Sequence, residues 1–218
     1  MGRIRRVTTR AIVIGCGGHS RAIINILLQE NKFNSIELYD LNEPNYNEKI
    51  LGIPVIGKFS DLIGLPLNKE NNFYIAIGDN LLRSKLFEQL IKEGCSLNAL
   101  ISNTAKLSLE VIIGKGSLIC PQSFIGPNVV IGENTIINTS TVIEHETRVG
   151  SSCHVAPGCT VSGRANIGDR VFIGAGASVI DGVNICNDVT IGAGATVIKS
   201  INTPGTYIGI PAKIFNKK

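Results

Sequence analysis

The chain has no Trp, one Met and three His, and aromatic residues make up only 5% of it. Ile and Val carry the apolar content, with frequent Gly, a mixture that favours β structure over helix bundles. No apolar run reaches the length of a membrane span, and the start lacks the apolar stretch of a signal peptide, so a cytoplasmic protein is expected. Six cysteines (Cys16, Cys95, Cys120, Cys153, Cys159, Cys186) form no C-x-x-C pair and stand at no His spacing typical of zinc. They read as reduced thiols packed as small hydrophobes, with no metal site. Lys and Arg are not spread along a face, as a nucleic-acid binder would have them. The formal charge is +4, but Arg3, Arg5, Arg6 and Arg10 all fall in the first ten residues, and the remainder is close to neutral. Residues 1–10 read as a disordered tail.

What the chain has in abundance is a period of six. Ile113, Ile119, Ile125, Ile131, Ile137, Ile143, Val149, Val155, Val161, Ile167, Ile173, Val179, Ile185, Ile191 and Val197 stand six apart without a slip. Gly often follows the aliphatic residue, as at Gly114, Gly132 and Gly174. Four residues after it comes a small or β-branched residue, such as Ser117, Thr135, Thr141, Ala165 or Ala177. A helix would smear this period around its surface, and a flat sheet needs no Gly in a fixed slot. Short strands joined by tight corners fit it, the aliphatic residue stacking inward and Gly or Asn relieving the backbone at the bend. Three such hexads close a triangular coil, so residues 101–218 are predicted to form a left-handed parallel β-helix, with about five coils in the unbroken run.

Residues 11–100 have another rhythm. Ala11–Ile14, Ile36–Tyr39 and Phe73–Ile77 read as strands, and His19–Gln29 and Leu81 to about Glu93 as helices. This alternation predicts a Rossmann-like α/β domain with a parallel sheet. Leu41–Glu70 reads as mostly loop, with a possible short strand at Gly52–Gly57. The Gly15-x-Gly17-Gly18 turn suits an anion at a helix start, but Ser20 replaces the last glycine of the dinucleotide fingerprint. Close backbone packing would equally explain these glycines. Asp40, ending the second strand, could accept hydrogen bonds from a ribose or base. No catalytic group for hydride transfer is present.

In Glu144-His145-Glu146 an imidazole lies between two carboxylates, in an outward part of its hexad. A neighbouring carboxylate fixes the tautomer of a His and suits it to act as a general base; the alternative is a solvated surface His. His154 follows half a coil later, also outward. The two rings should lie on different sides of the prism, so their joint use requires a neighbouring subunit.

With these residues in view, the chain resembles the bacterial sugar N- and O-acetyltransferases, among them the bacillosamine-pathway acetyltransferase and the sialic acid O-acetyltransferases. The resemblance runs from Ala11 to Ile214. It is carried by Gly15-x-Gly17-Gly18-His19, by Ala76-Ile77-Gly78-Asp79-Asn80 with Arg83, by Asn138 to Glu146, and by Gly209-Ile210-Pro211-Ala212-Lys213. It implies a nucleotide-linked amino sugar, such as a UDP-4-amino-4,6-dideoxy sugar, held by Gly17, Gly18, His19, Asp40, Gly78, Asp79, Asn80 and Arg83, with Asn138 near the acceptor. It further implies His145 as general base and Glu146 as the group that orients it. His154 would lie beside the thioester of acetyl-CoA, which would run past Gly163, Ala175 and Ala193 in a groove between subunits of a homotrimer, with Lys213 towards its phosphates. Where many relatives carry a His just before the first coil, this chain has Ser102. Three rival readings stand beside this one: O-acetylation of a sugar hydroxyl, a non-catalytic nucleotide-sugar scaffold, and a β-helical carbonic anhydrase. The last needs three His, and the β-helix offers two.

Overall fold

The structure, a computed structural model, describes residues 9–62 and 71–215. The tail at 1–8 lies outside the described residues. The chain divides into two compact units, Met1–Gly78 with Lys85–Asn98, and Asp79–Ser84 with Ala99–Lys218.

In the first unit, β1 (Arg10–Ile14), β2 (Ser35–Asp40), β4 (Ile53–Lys58) and β5 (Asn71–Ile75) run parallel, and β3 (Lys49–Ile50) adds an antiparallel edge, in the order β3-β4-β2-β1-β5. Ala11, Ile12, Val13 and Ile14 are all buried, as a central parallel strand requires. Helix α1 (Gly18–Glu30) follows β1, and Ile23, Ile24, Ile26 and Leu27 form its buried face. Arg10 belongs to β1 and not to the tail: it pairs with Glu37 at 3.1 Å and donates to Asn71.

The possible short strand at Gly52–Gly57 is β4, and the expected loop around it is corrected by β3 and a 3₁₀ turn at Phe59–Leu62; residues 63–70 lie outside the described ones. The strand survives Pro54 because Val55 N–H donates to Glu48 O on the β3 side, which turns the Pro54 nitrogen to the other side, where pairing with β2 begins only at Val55. Gly57 leaves room for the Tyr39 ring, which a Cβ there would meet at 2.9 Å. Among the described residues no helix is long and apolar enough to cross a membrane.

The second unit is a parallel β-helix, unbroken by any long loop from Ile113 to Val197. Two-residue strands pair in parallel with those 18 residues away, Ile125 with Ile143 and Ile143 with Val161. They stack into sheets of six, five and eight strands. The Ile and Val column forms one continuous core. In the small-residue slot Thr135, Thr141 and Thr147 donate to Gly150, Ala156 and Ser162 carbonyls, and Cys153 and Cys159 take the same position with Sγ 3.0 Å from the Gly168 and Gly174 carbonyls.

The glycine after the aliphatic residue has a different cause from the expected one. Gly114 and Gly132 do not lie at positive φ; a Cβ on either would come within 2.6 Å of the backbone one coil on. The left-handed bend falls two residues later and tolerates Asn134 (φ 56), Glu146 (φ 59) and Arg164 (φ 56).

Burial pushes the Cys120 and Cys153 thiols up to about 12. Alkylation of native protein is therefore expected to modify half-exposed Cys186 first and to spare both buried thiols until unfolding. Peptide mapping of the adducts checks this, and early modification of Cys153 would contradict it. Because these thiols hold their protons more tightly when folded, their contribution to stability is complete below the ordinary value of 9.0 and is lost as the pH rises towards 12.

Candidate active site

Gly17, Gly18, His19, Asp40 and Gly78 gather where β1, β2 and β5 end, the edge at which open parallel sheets hold ligands. The turn closes through Gly15 N–H to Tyr39 O at 2.8 Å and Ala76 N–H to Ile14 O at 2.7 Å. Gly15 (φ +106) is packed, its missing Cβ space filled by Ile77 at 2.6 Å. Gly17, Gly18 and Gly78 differ. None has positive φ, and a Cβ on any of them would meet nothing within 4 Å. Packing explains Gly15 but not these three, whose bare backbone borders open space; Gly17 and Gly18 stand at the N-terminus of α1, which has no acidic residue in its first turn. Asp40 accepts from the Leu41 N–H at 2.6 Å. Burial and the Asp40 carboxylate push the Cys16 thiol up to about 12, so Cys16 stays neutral beside it.

Asp79, Asn80 and Arg83 belong to the second unit. Asp79 caps α2 (Asn80–Lys92) by accepting the Leu82 N–H at 2.7 Å. Asn80 donates to the Arg170 and Val171 carbonyls, both at 3.1 Å. Arg83, 1% exposed, donates through Nε to Asn134 O at 3.0 Å. Its Nη2 reaches Ser152 O at 2.9 Å, Cys153 O at 2.8 Å and Asn80 Oδ1 at 2.8 Å. Burial lowers its pKa to about 10, so it stays charged at neutral pH. These contacts tie the Asp79–Ser84 segment to the coils. A guanidinium so buried and so engaged fits an anchor better than the sugar contact the sequence suggested.

The β-helix carries two groups of polar side chains. In the first, Asn138 Oδ1 accepts the Thr139 N–H at 2.8 Å, which turns Nδ2 towards His154 Nε2 at 3.1 Å. Nε2 is therefore the acceptor, and a neutral ring carries its proton on Nδ1. Phe172 packs edge-on against the His154 ring, 5.3 Å between centroids. Exposed Ala175 and Ala193 follow later strands of the same eight-stranded sheet, and Lys213 lies in its last strand. Ser102 is buried, and its hydroxyl lies 3.1 Å from that of Thr104.

The second group lies at the corner after the six-stranded sheet. His145 Nδ1 is 3.1 Å from Glu146 Oε2, with the two side chains 45% and 56% exposed. Glu146 sits at the left-handed bend, which turns its carboxylate back towards the ring. With Nδ1–H donating to Glu146, a neutral imidazole keeps the lone pair on Nε2, away from that carboxylate. Gly163, one coil on, is buried against this ring. The chain thus brings Asn138 together with His154, and His145 with Glu146 and Gly163, on different sides of the prism. The sequence did not reveal the Asn138–His154 contact, since they stand 16 apart and not one coil apart. Among the described residues no group of three or more His, Cys, Asp or Glu is arranged to hold a metal ion.

Residues 10–90 match the family model of the PglD N-terminal domain, and residues 110–145 and 164–199 match the bacterial transferase hexapeptide (six repeats) model. No curated protein matches the chain in sequence. Among solved structures, it is similar to the acetyltransferase domain of PglB from Neisseria gonorrhoeae FA1090 in complex with acetyl coenzyme A, at 29% identity and TM-score 0.89, over 95% of this chain and 100% of that one. A mutant of perosamine N-acetyltransferase from Caulobacter crescentus, in complex with CoA and GDP-perosamine, is 33% identical with TM-score 0.86, over 95% and 97%. WeeI from Acinetobacter baumannii AYE is 28% identical with TM-score 0.87, over 95% and 100%.

Proposed function

We propose a specific reaction for this chain, which belongs to the bacterial nucleotide-sugar acetyltransferases and is an acyltransferase: transfer of acetyl from acetyl-CoA to the amino group of a nucleotide-linked amino sugar. The observation that carries this reading is the His145 imidazole, half exposed on a rigid coil with Nδ1 on Glu146, which leaves Nε2 as the ring's proton acceptor. Nε2 takes a proton from the sugar nitrogen as that nitrogen attacks the thioester carbonyl. Glu146 stabilises the imidazolium that results. Collapse of the tetrahedral intermediate breaks the C–S bond and releases CoA as its thiolate, which takes up a proton. The two related enzymes solved with CoA or acetyl coenzyme A support the choice of donor, and GDP-perosamine in one of them supports an amino sugar as acceptor.

Because His145 and His154 lie on different sides of one chain, a complete site is read as forming between subunits of a homotrimer. His145 and Glu146 would come from one copy, and His154, Asn138, Ala175 and Ala193 from the next, with Lys213 towards the CoA phosphates. Sedimentation of an active sample is expected to give a trimer; a catalytically active monomer would contradict the shared site. The nucleotide-sugar is read onto Gly17, Gly18, His19, Asp40 and Gly78. Six unpaired thiols fit a reducing cytoplasm.

Asp40→Ala is expected to weaken the sugar nucleotide by the value of one hydrogen bond, about 0.5–1.5 kcal/mol, while acetyl-CoA affinity stays nearly unchanged. Calorimetric titration of both ligands checks this, and equal losses for the two would overturn the assignment. The reaction itself is tested by following CoA release with a nucleotide-linked 4-amino sugar as acceptor.

A further inference from the structure

We infer that Gly163 is a positioning residue for His145, acting through the side chain it lacks. The inference rests on His145 being the base. Gly163 occupies the same hexad slot as His145, one coil further on, and Arg164 N–H donates to His145 O at 2.9 Å, which fixes the spacing of the two coils there. A Cβ built on Gly163 would lie 2.5 Å from His145 Cε1, 2.6 Å from Nε2 and 3.0 Å from Nδ1. Its three nearest neighbours are thus all atoms of one imidazole.

The usual reasons for glycine do not apply at this position. Gly163 is absent from the residues at positive φ, so its backbone suits any side chain. It is not in the slot after the aliphatic residue, where a Cβ collides with the next coil's backbone, as at Gly132. On the opposite side, Gly126 lets the previous coil approach, since a Cβ there would meet His145 N at 2.8 Å. The backbone of His145 is therefore held by its neighbours, and the ring cannot yield to a methyl group by shifting the chain. It must rotate, which moves Nε2 and breaks the Nδ1 contact with Glu146. Gly163 keeps the proton-accepting edge of the ring where the Glu146 hydrogen bond aims it.

The test is Gly163→Ala in the full-length protein, alone and combined with His145→Ala. With selectively ¹⁵N-labelled histidine, the His145 ring nitrogens are expected to shift in Gly163→Ala while those of His154 stay in place. With acetyl-CoA and GDP-perosamine or a UDP-linked 4-amino sugar, kcat is expected to fall about 10–100-fold, as for a reacting group displaced by about an ångström. In the His145→Ala background the methyl group has no ring to strike, so Gly163→Ala should then cost less than about twofold, the non-additivity of two residues acting as a unit. Unmoved His145 resonances would overturn the inference, and so would an equal loss of kcat in both backgrounds. The double variant also serves as the folding control. If His145→Ala alone retains turnover, the general-base reading fails, and the ring resonances still decide the place of Gly163.

Discussion

Replacing His145 with Ala is expected to lower kcat by about 10²–10⁴-fold with little change in KM, the range for one positioned acid–base group. The side chain is 45% exposed and points away from the Ile and Val column, so the coils should remain intact. Glu146→Ala should cost less, because Glu146 acts on the ring and not on the substrate. The acidic limb of kcat/KM should disappear with the imidazole. A sugar ammonium must also lose a proton before it attacks and can produce a similar limb, so parent and variant are compared on one substrate. A folded His145→Ala protein that turns over within a few-fold of the parent would end the assignment.

Replacing Arg83 with Met is expected to cost about 2–4 kcal/mol of stability. Asn134 O and Ser152 O lose their donor, at about 1–3 kcal/mol for each buried group left unpaired. Cys153 O is less affected because it also accepts the Ile136 N–H. Relief from burying a cation offsets part of the loss. Met keeps the apolar stem, so the change isolates the hydrogen bonds. Lys should fall between the two, since a single ammonium cannot occupy the positions of both Nε and Nη2. Thermal or denaturant unfolding checks the anchor. A variant with unchanged stability and weakened sugar binding would instead return Arg83 to the substrate site.

The β-helix was legible because its information repeats. Each slot of the hexad meets its own copy 18 residues on, so a column of Ile and Val states its packing in the sequence itself. The same stacking makes the link between His145 and Gly163 readable as a separation of one coil. The reason for the corner glycines was not readable, because close approach and positive φ leave the same letter. Strand β3 was obscured by the Asn-rich stretch before it. The anchoring contacts of Arg83 were not readable for a different cause. Its carbonyl partners lie 51 to 70 residues away, and a carbonyl acceptor leaves no mark on residue type. The open space at Gly17, Gly18 and Gly78 likewise needed coordinates, since a glycine demanded by packing looks the same in sequence.

The most direct measurement is acetyl-CoA turnover by purified protein against UDP-, GDP- and dTDP-linked 4-amino sugars and free sialic acid, with CoA release followed and products identified by mass. The account predicts one acetyl group added, as an amide, to a nucleotide-linked amino sugar, and no transfer to sialic acid. Acetylation of a hydroxyl alone, or no transfer to any amino sugar under conditions where the folded protein binds acetyl-CoA, would contradict it.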